Sequence, residues 1–280
     1  MNTTASENRP WMALENTGTQ SFTYADVQRK DLHMLFASAP QNVLDIGCAT
    51  GAVGVGIKNS FQNARVLGCE LDMQAAKIAK QRLDQVITAP LREWNTEQIQ
   101  ELQKIDTVML LDVLEHMYNP WAELEFLSKH LNKNAQLIIS LPNIGHLSTF
   151  NQLHQGFWRY DPFGIKDMTH LRFFTEYEMI RMFYQTGFKV EQKVYLAIPP
   201  NLTKFDQYPI TINVGNGLQM QVRNNEHWLQ LNAIQLGFRI RIASDDELSP
   251  KEAELRHGSH ITQKKGPMVT IKTKNGVFTQ

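Results

Sequence analysis

Apolar and polar positions follow two rhythms along the chain, and their order predicts the architecture. Short apolar runs stand at Val43-Leu44-Asp45-Ile46-Gly47, Ala64 to Cys69, Ile105 to Leu111, Gln136 to Leu141 and Phe188 to Ala197. Helical spacing fills the gaps. Ala25 to Ala37 carries Val27, Leu32, Met34, Leu35 and Phe36, and Gln74 to Val86 carries Ala75, Ala76, Ile78, Ala79 and Leu83. Pro120 to Leu131 puts Trp121, Leu124, Leu127 and Leu131 on one face, and Glu176 to Gln185 reads as one more helix. Strands alternating with helical runs of about 10–15 residues predict parallel crossover units in an α/β doubly wound sheet.

The rhythm changes after residue 200. Ile210, Ile212 and Val214 alternate with polar residues before Gly215-Asn216-Gly217, as do Leu218, Met220 and Val222 after it. Asn-Gly between two alternating strands predicts a β-hairpin, here an insertion at about 200–225. A helix over Trp228 to Leu236 and a strand over Phe238 to Ala243 follow. Beyond Ser244 the chain is polar, with six Lys/Arg against two Glu from Lys251 to Lys274, and reads as a loosely attached tail. The expected organisation is a polar lead-in over residues 1–23, one domain over 24–243 and a basic tail over 244–280.

Composition narrows the function classes. The 280 residues are 42% apolar and 20% charged, enough for a substantial core. Lys+Arg and Asp+Glu are 28 each, so the chain lacks the positive field of proteins that grip a phosphate backbone, and duplex nucleic acid is not the expected partner. Two cysteines, Cys48 and Cys69, exclude a disulfide framework and a four-cysteine zinc site. Apolar runs such as Val108 to Leu111 fall far short of the ~18 residues of a membrane span. Met1 to Pro10 has neither a basic n-region nor an apolar h-region. A cytoplasmic protein is the expectation.

The candidate chemistry starts at Asp45-Ile46-Gly47-Cys48-Ala49-Thr50-Gly51, where the first strand turns into a helix. Glycines there permit positive φ and close approach of a ligand to the main chain. Glu70 follows Gly51 by 19 residues at the end of the second strand, where an acid accepts from the ribose hydroxyls of an adenosine-bearing ligand. A dinucleotide and S-adenosylmethionine both fit this outline. Asp45 separates them, because a carboxylate at the turn repels a pyrophosphate but suits an ammonium and a sulfonium. A dinucleotide turn would also need glycine at Ala49.

Asp45-x-Gly47-x-Ala49-x-Gly51 resembles the first motif of class I S-adenosylmethionine-dependent methyltransferases, and Gly68-Cys69-Glu70-Leu71-Asp72 resembles the second. Asp112-Val113-Leu114-Glu115-His116 and Asp167 to Thr175 resemble segments of the ubiquinone-biosynthesis-like branch, which acts on small molecules. The resemblance spans roughly Tyr24 to Ala243. It implies a Rossmann-like seven-stranded, mostly parallel sheet whose last strand, Phe238 to Ala243, is antiparallel. It also implies S-adenosylmethionine as cofactor, with Asp45, Gly47 and Gly51 at the methionine moiety, Glu70 at the ribose, Leu71 on the adenine and Asp112 beside them. Two positions depart from the pattern: Ala49 replaces the middle glycine, and Pro90 stands where relatives place the acid that receives the adenine amino group.

Methyl transfer is an in-line displacement, so the protein chiefly aligns the acceptor and excludes water. An oxygen nucleophile still gains from a base, and His suits that task near neutral pH. His116 and His170 are the candidate catalytic residues among nine histidines; the plainer roles are a helix-end hydrogen bond for His116 and, with Arg172, a loop clamp for His170. Asp112, Glu115 and His116 also have metal-ligand chemistry, but Asn119 replaces a further His of related RNA enzymes, and no metal is expected. Phe157, Trp158, Tyr160 and Phe163 lie among Gly156, Pro162 and Gly164, which suggests a lid over the acceptor. The expected activity is methyl transfer to an oxygen or nitrogen of a small molecule. The alternatives are a nicotinamide-dependent oxidoreductase and a non-catalytic S-adenosylmethionine-binding subunit.

Overall fold

Residues 26–258 are described by the computed structural model, together with the backbone of 270–273 and 276–279. The lead-in expected over 1–23 lies outside the described residues. Along the chain run β1 (Asn42–Ile46), α1 (Ala52–Ser60), β2 (Arg65–Cys69), α2 (Met73–Ala79), β3 (Gln85–Ile87) and α3 (Thr96–Glu101). Then come β4 (Thr107–Leu111), α4 (Pro120–His130), β5 (Gln136–Pro142), α5 (Leu147–His154), α6 (Glu176–Gln185) and β6 (Phe188–Leu196). The hairpin β7 (Ile210–Gly215) and β8 (Leu218–Val222) leads to α7 (Asn225–Asn232), β9 (Gln235–Ile242) and α8 (Pro250–His257). A short pair, β10 (Thr270–Thr273) and β11 (Gly276–Thr279), follows.

Seven strands form one sheet in the order β3-β2-β1-β4-β5-β9-β6. β9 is antiparallel to both β5 and β6, and the hairpin makes a separate two-stranded sheet. The central strands read as near-continuous apolar runs because helices cover both faces of the sheet: all seven residues of β5 are buried, as are Val43 to Ile46 of β1. Phe183 of α6 and Phe238 of β9 meet edge-to-face at 5.2 Å in the main core. Cys48 and Cys69 are free and buried. Burial pushes both thiols up, Cys69 to about 12, so neither is a thiolate near neutral pH.

Tertiary contacts override the periodicity at four places. The helix expected over Ala25 to Ala37 is a 3-10 turn, Lys30–Leu35. Arg29 has a positive φ of 48° and breaks the approach; Leu32 and Leu35, three apart, pack on Ile138 while Val27 and Met34 stay exposed. α2 stops at Ala79, and Val86 and Ile87, expected at or beyond a helix end, pair instead with β2 as the edge strand β3. α7 starts at Asn225 because the Asn224 side chain accepts from the His227 N–H (2.8 Å), and Gln235-Leu236 belong to β9. The first part of the stretch expected to be loose, residues 245–258, is anchored. Arg256 of α8 donates to the carbonyls of Tyr184 (3.0 Å), Ala243 (2.9 Å) and Phe188 (3.3 Å), and Tyr184 Oη donates to Glu252 (2.7 Å).

Candidate active site

β1 pairs with β2 on one side and β4 on the other, so the chain reverses its winding there, and a crevice opens outside the C-terminal strand ends. The crevice is a cavity of about 740 Å³ walled by Gly47, Glu70, Leu71, Pro90, Asp112 and His116, among others. The turn above β1 has positive φ at Gly47 (69°), Ala49 (48°) and Gly51 (82°). A Cβ at Gly47 would lie 2.5 Å from Val113 Cγ2. Only glycine leaves that stretch of main chain open to a ligand.

Glu70 reaches back under this turn. One carboxylate oxygen accepts from the Ala49 N–H (2.8 Å) and the other from the Asp72 N–H (2.8 Å). A carboxylate has about four acceptor sites, so capacity remains for two hydroxyls. Leu71 next to it is 58% exposed, an apolar shelf on the wall. Pro90 is also on the wall, but the Ala89 carbonyl already accepts from Trp94 Nε1 (3.2 Å) and that of Pro90 from the Glu93 N–H (2.9 Å).

Asp45 and Gly51 lie off the wall. Gly51 caps α1. Asp45 is 2% exposed, and its Oδ2 has no hydrogen-bond partner. Burial, and secondarily the Glu70 carboxylate, raise its carboxyl from 3.8 to about 7. The folded state therefore holds a proton that the unfolded state releases near pH 4. The associated stability is complete below about pH 4 and is lost as pH rises through about 7, on the order of 4 kcal/mol in all. Asp45→Asn should flatten that pH dependence. Urea unfolding at pH 4.5, 6 and 8 checks it: the parent protein should lose stability relative to the variant across the series, and parallel curves would contradict the assignment.

Asp112 closes the far wall. It has a positive φ of 56°, its Oδ2 accepts from Arg29 Nη1 (2.8 Å) and its Oδ1 from Ser140 Oγ (3.0 Å). Nothing local announces Arg29, which is 83 residues away in sequence. His116 ends a 3-10 turn, Leu114–His116, rather than starting an α-helix, and is exposed on the wall. Its partner is remote: Nδ1 lies 3.3 Å from the carbonyl oxygen of Thr169.

His170 is buried off the wall, edge-to-face with His116 at 4.7 Å. Burial, and secondarily His116, lower its pKa, so it is neutral near pH 7. Glu115 is 1% exposed, both its oxygens lack hydrogen-bond partners, and desolvation raises its pKa well above the usual carboxylate range. Its carbonyl accepts from the N–H groups of Leu171 (2.8 Å) and Arg172 (3.0 Å), which pins the 167–172 loop. Arg172 also donates to the Tyr118 carbonyl and lies over that ring, as a clamp would. Among the described residues, the grouping with cation-ligand chemistry is Glu115, His116 and His170, whose ligand atoms lie within 4.8 Å of one another; Asp112, expected in that set, is taken by Arg29 and Ser140. Asn119 caps α4 by accepting from the Ala122 N–H (3.2 Å).

The aromatic lid does not wall the cavity. Trp158 packs edge-to-face on Phe173 at 5.1 Å, while Phe157, Tyr160 and Phe163 are exposed. Asp161 ties this stretch to the loop below it, through its N–H to the Lys166 carbonyl and its carbonyl to the Met168 N–H.

A crevice at the switch point of a doubly wound sheet, with an open main-chain turn and an acid at the next strand end, is where this architecture holds nucleoside-bearing cofactors. Comparison with known proteins narrows that class. Residues 22–193 match the methyltransferase domain family, and the chain belongs to it; its cofactor is S-adenosylmethionine. A curated relative, the malonyl-[acyl-carrier protein] O-methyltransferase of Anoxybacillus flavithermus, is 28% identical over 140 residues, 48% of this chain. The chain spans about half the length of that relative (51%). A solved S-adenosylmethionine-dependent methyltransferase from Archaeoglobus fulgidus shares the fold, with a TM-score of 0.51 and 16% identity over 82% of this chain and 99% of that one. Magnesium protoporphyrin IX methyltransferase from Synechocystis, solved with S-adenosylhomocysteine, covers 84% of this chain and 93% of its own at 16% identity and a TM-score of 0.48. Among the described residues no helix is long and apolar enough to cross a membrane.

Proposed function

We propose that the chain transfers a methyl group from S-adenosylmethionine to an oxygen or nitrogen of a small-molecule acceptor, with His116 as general base. The observation that carries this is the sharing of one cavity wall by the Gly47 turn, Glu70 and an exposed His116. The open main chain at Gly47 fits a cofactor that approaches the backbone, and Glu70 has acceptor capacity left for a ribose. The cofactor supplies a methyl already activated by positive sulfur. The chain does the rest. Glu70 and Leu71 hold and orient the nucleoside. Asp112, fixed by Arg29 and Ser140, keeps the far wall in place, and His116 takes the proton that the acceptor releases. The relative's name, an O-methyltransferase, supports oxygen as the acceptor atom.

The test is ligand binding. S-adenosylhomocysteine should raise the melting temperature, by the equivalent of about 2.7 kcal/mol at a hundredfold excess over Kd, and NAD should not. Charge-assisted hydrogen bonds contribute about 1.5–3 kcal/mol each, so Glu70→Ala should weaken S-adenosylhomocysteine binding at least ~10-fold in calorimetry while the protein stays folded. A shift with NAD alone, or unchanged affinity in the variant, would overturn the reading.

A further inference from the structure

Thr169 has two acceptors and one donor around His116, and counting protons settles which nitrogen of the ring is protonated. Thr169 Oγ1 lies 2.7 Å from Asp167 Oδ1 and 3.2 Å from His116 Nδ1. The Thr169 carbonyl oxygen lies 3.3 Å from the same Nδ1. A hydroxyl has one proton to give, and the shorter contact with an acceptor-only carboxylate takes it. A carbonyl gives none. Both Thr169 oxygens therefore face Nδ1 as acceptors, and only an N–H at Nδ1 satisfies them. Asp167 Oδ1 also accepts from the Thr169 N–H (2.8 Å), so the hydroxyl is fixed from two sides.

We propose that Asp167, through the Thr169 hydroxyl, is a positioning residue that holds His116 in the Nδ1–H tautomer and leaves Nε2 as the free acceptor of a ring on the cavity wall. A base needs that bare lone pair; in the opposite tautomer the nitrogen left to the acceptor would already be protonated. His116, Asp167 and Thr169 all line the cavity, so the relay is local to the site. His170 bounds it on the other side: its Nδ1 meets the Ile165 carbonyl at 3.2 Å, which gives His170 the same tautomer and leaves its ring edge against His116.

The inference rests on His116 being the base, but its test does not use turnover. Protein labelled with ¹⁵N-histidine, free of cofactor and acceptor, reports each tautomer in long-range ¹H–¹⁵N spectra above the histidine titration range, with His116→Gln identifying the signal. The parent protein should show a protonated Nδ1 and a bare Nε2. Asp167→Ala frees the hydroxyl to donate to Nδ1 against a carbonyl that still accepts there, so the population should shift towards Nε2–H. Thr169→Val should shift the balance the same way, and Thr169→Ser should restore the parent spectrum. A protonated Nε2 in the parent protein overturns the proposal without any variant, and so does a tautomer unmoved by Asp167→Ala and Thr169→Val. If the tautomer is as stated while His116→Ala leaves transfer untouched, the base assignment fails and the positioning stands.

Discussion

His116→Ala should lower kcat for methyl transfer by about 10²–10⁴-fold and leave S-adenosylhomocysteine affinity near that of the parent protein. The side chain is exposed on the cavity wall with its Nδ1 on the Thr169 carbonyl, so its loss should remove a proton acceptor rather than a cofactor contact. An interaction realised only in the transition state lowers kcat and kcat/KM together. The check is steady-state kinetics with radiolabelled methyl donor and an acceptor found by screening. Unchanged kcat would return His116 to a loop-fixing role.

Phe183→Ala should cost about 3–5 kcal/mol of folding stability, a large share of the ~5–15 kcal/mol that a domain has. Phe183 is fully buried, stacks edge-to-face on Phe238 and belongs to the core that joins α6 to the sheet. Alanine leaves a cavity between α6 and β9, whereas Phe183→Leu should cost markedly less. Urea midpoints measure both. Because Phe183 is not on the cavity wall, cofactor affinity of the folded variant should hold. A drop in affinity larger than the drop in stability would mean that α6 couples to the site.

Sequence legibility followed the physical range of each signal. The turn from Gly47 to Gly51 and its partner Glu70 could be read because a βαβ unit folds them together whatever surrounds it. β5 and α6 were plain for a similar reason: each has a complete period and clear boundaries, and α6 begins and ends at the residues its pattern marks. β3 was hidden, since three residues paired to an edge carry no period of their own. Arg29 was invisible. Its role depends on Asp112, far along the chain, and on a left-handed backbone turn that arginine's propensity does not favour. The Asp167–Thr169–His116 relay spans 53 residues; each end stood out by itself, but nothing in the sequence joined them. The lid was misplaced because glycine and proline mark a loop without saying which way its aromatic rings turn.

The position of β9 bears on synthesis from the ribosome. β6 leaves the exit tunnel before β9, yet among the described residues β9 is its only neighbour in the sheet, and β5 likewise waits for β9 to cover its outer edge. Until Gln235–Ile242 has emerged, a nascent chain holds a largely apolar strand with one side unpaired and a second strand with no partner. Bare strand edges recruit other chains. A ribosome stalled between Leu196 and Gln235 would therefore expose the most adhesive form of this protein, and chaperone engagement should be strongest over that window of nascent lengths.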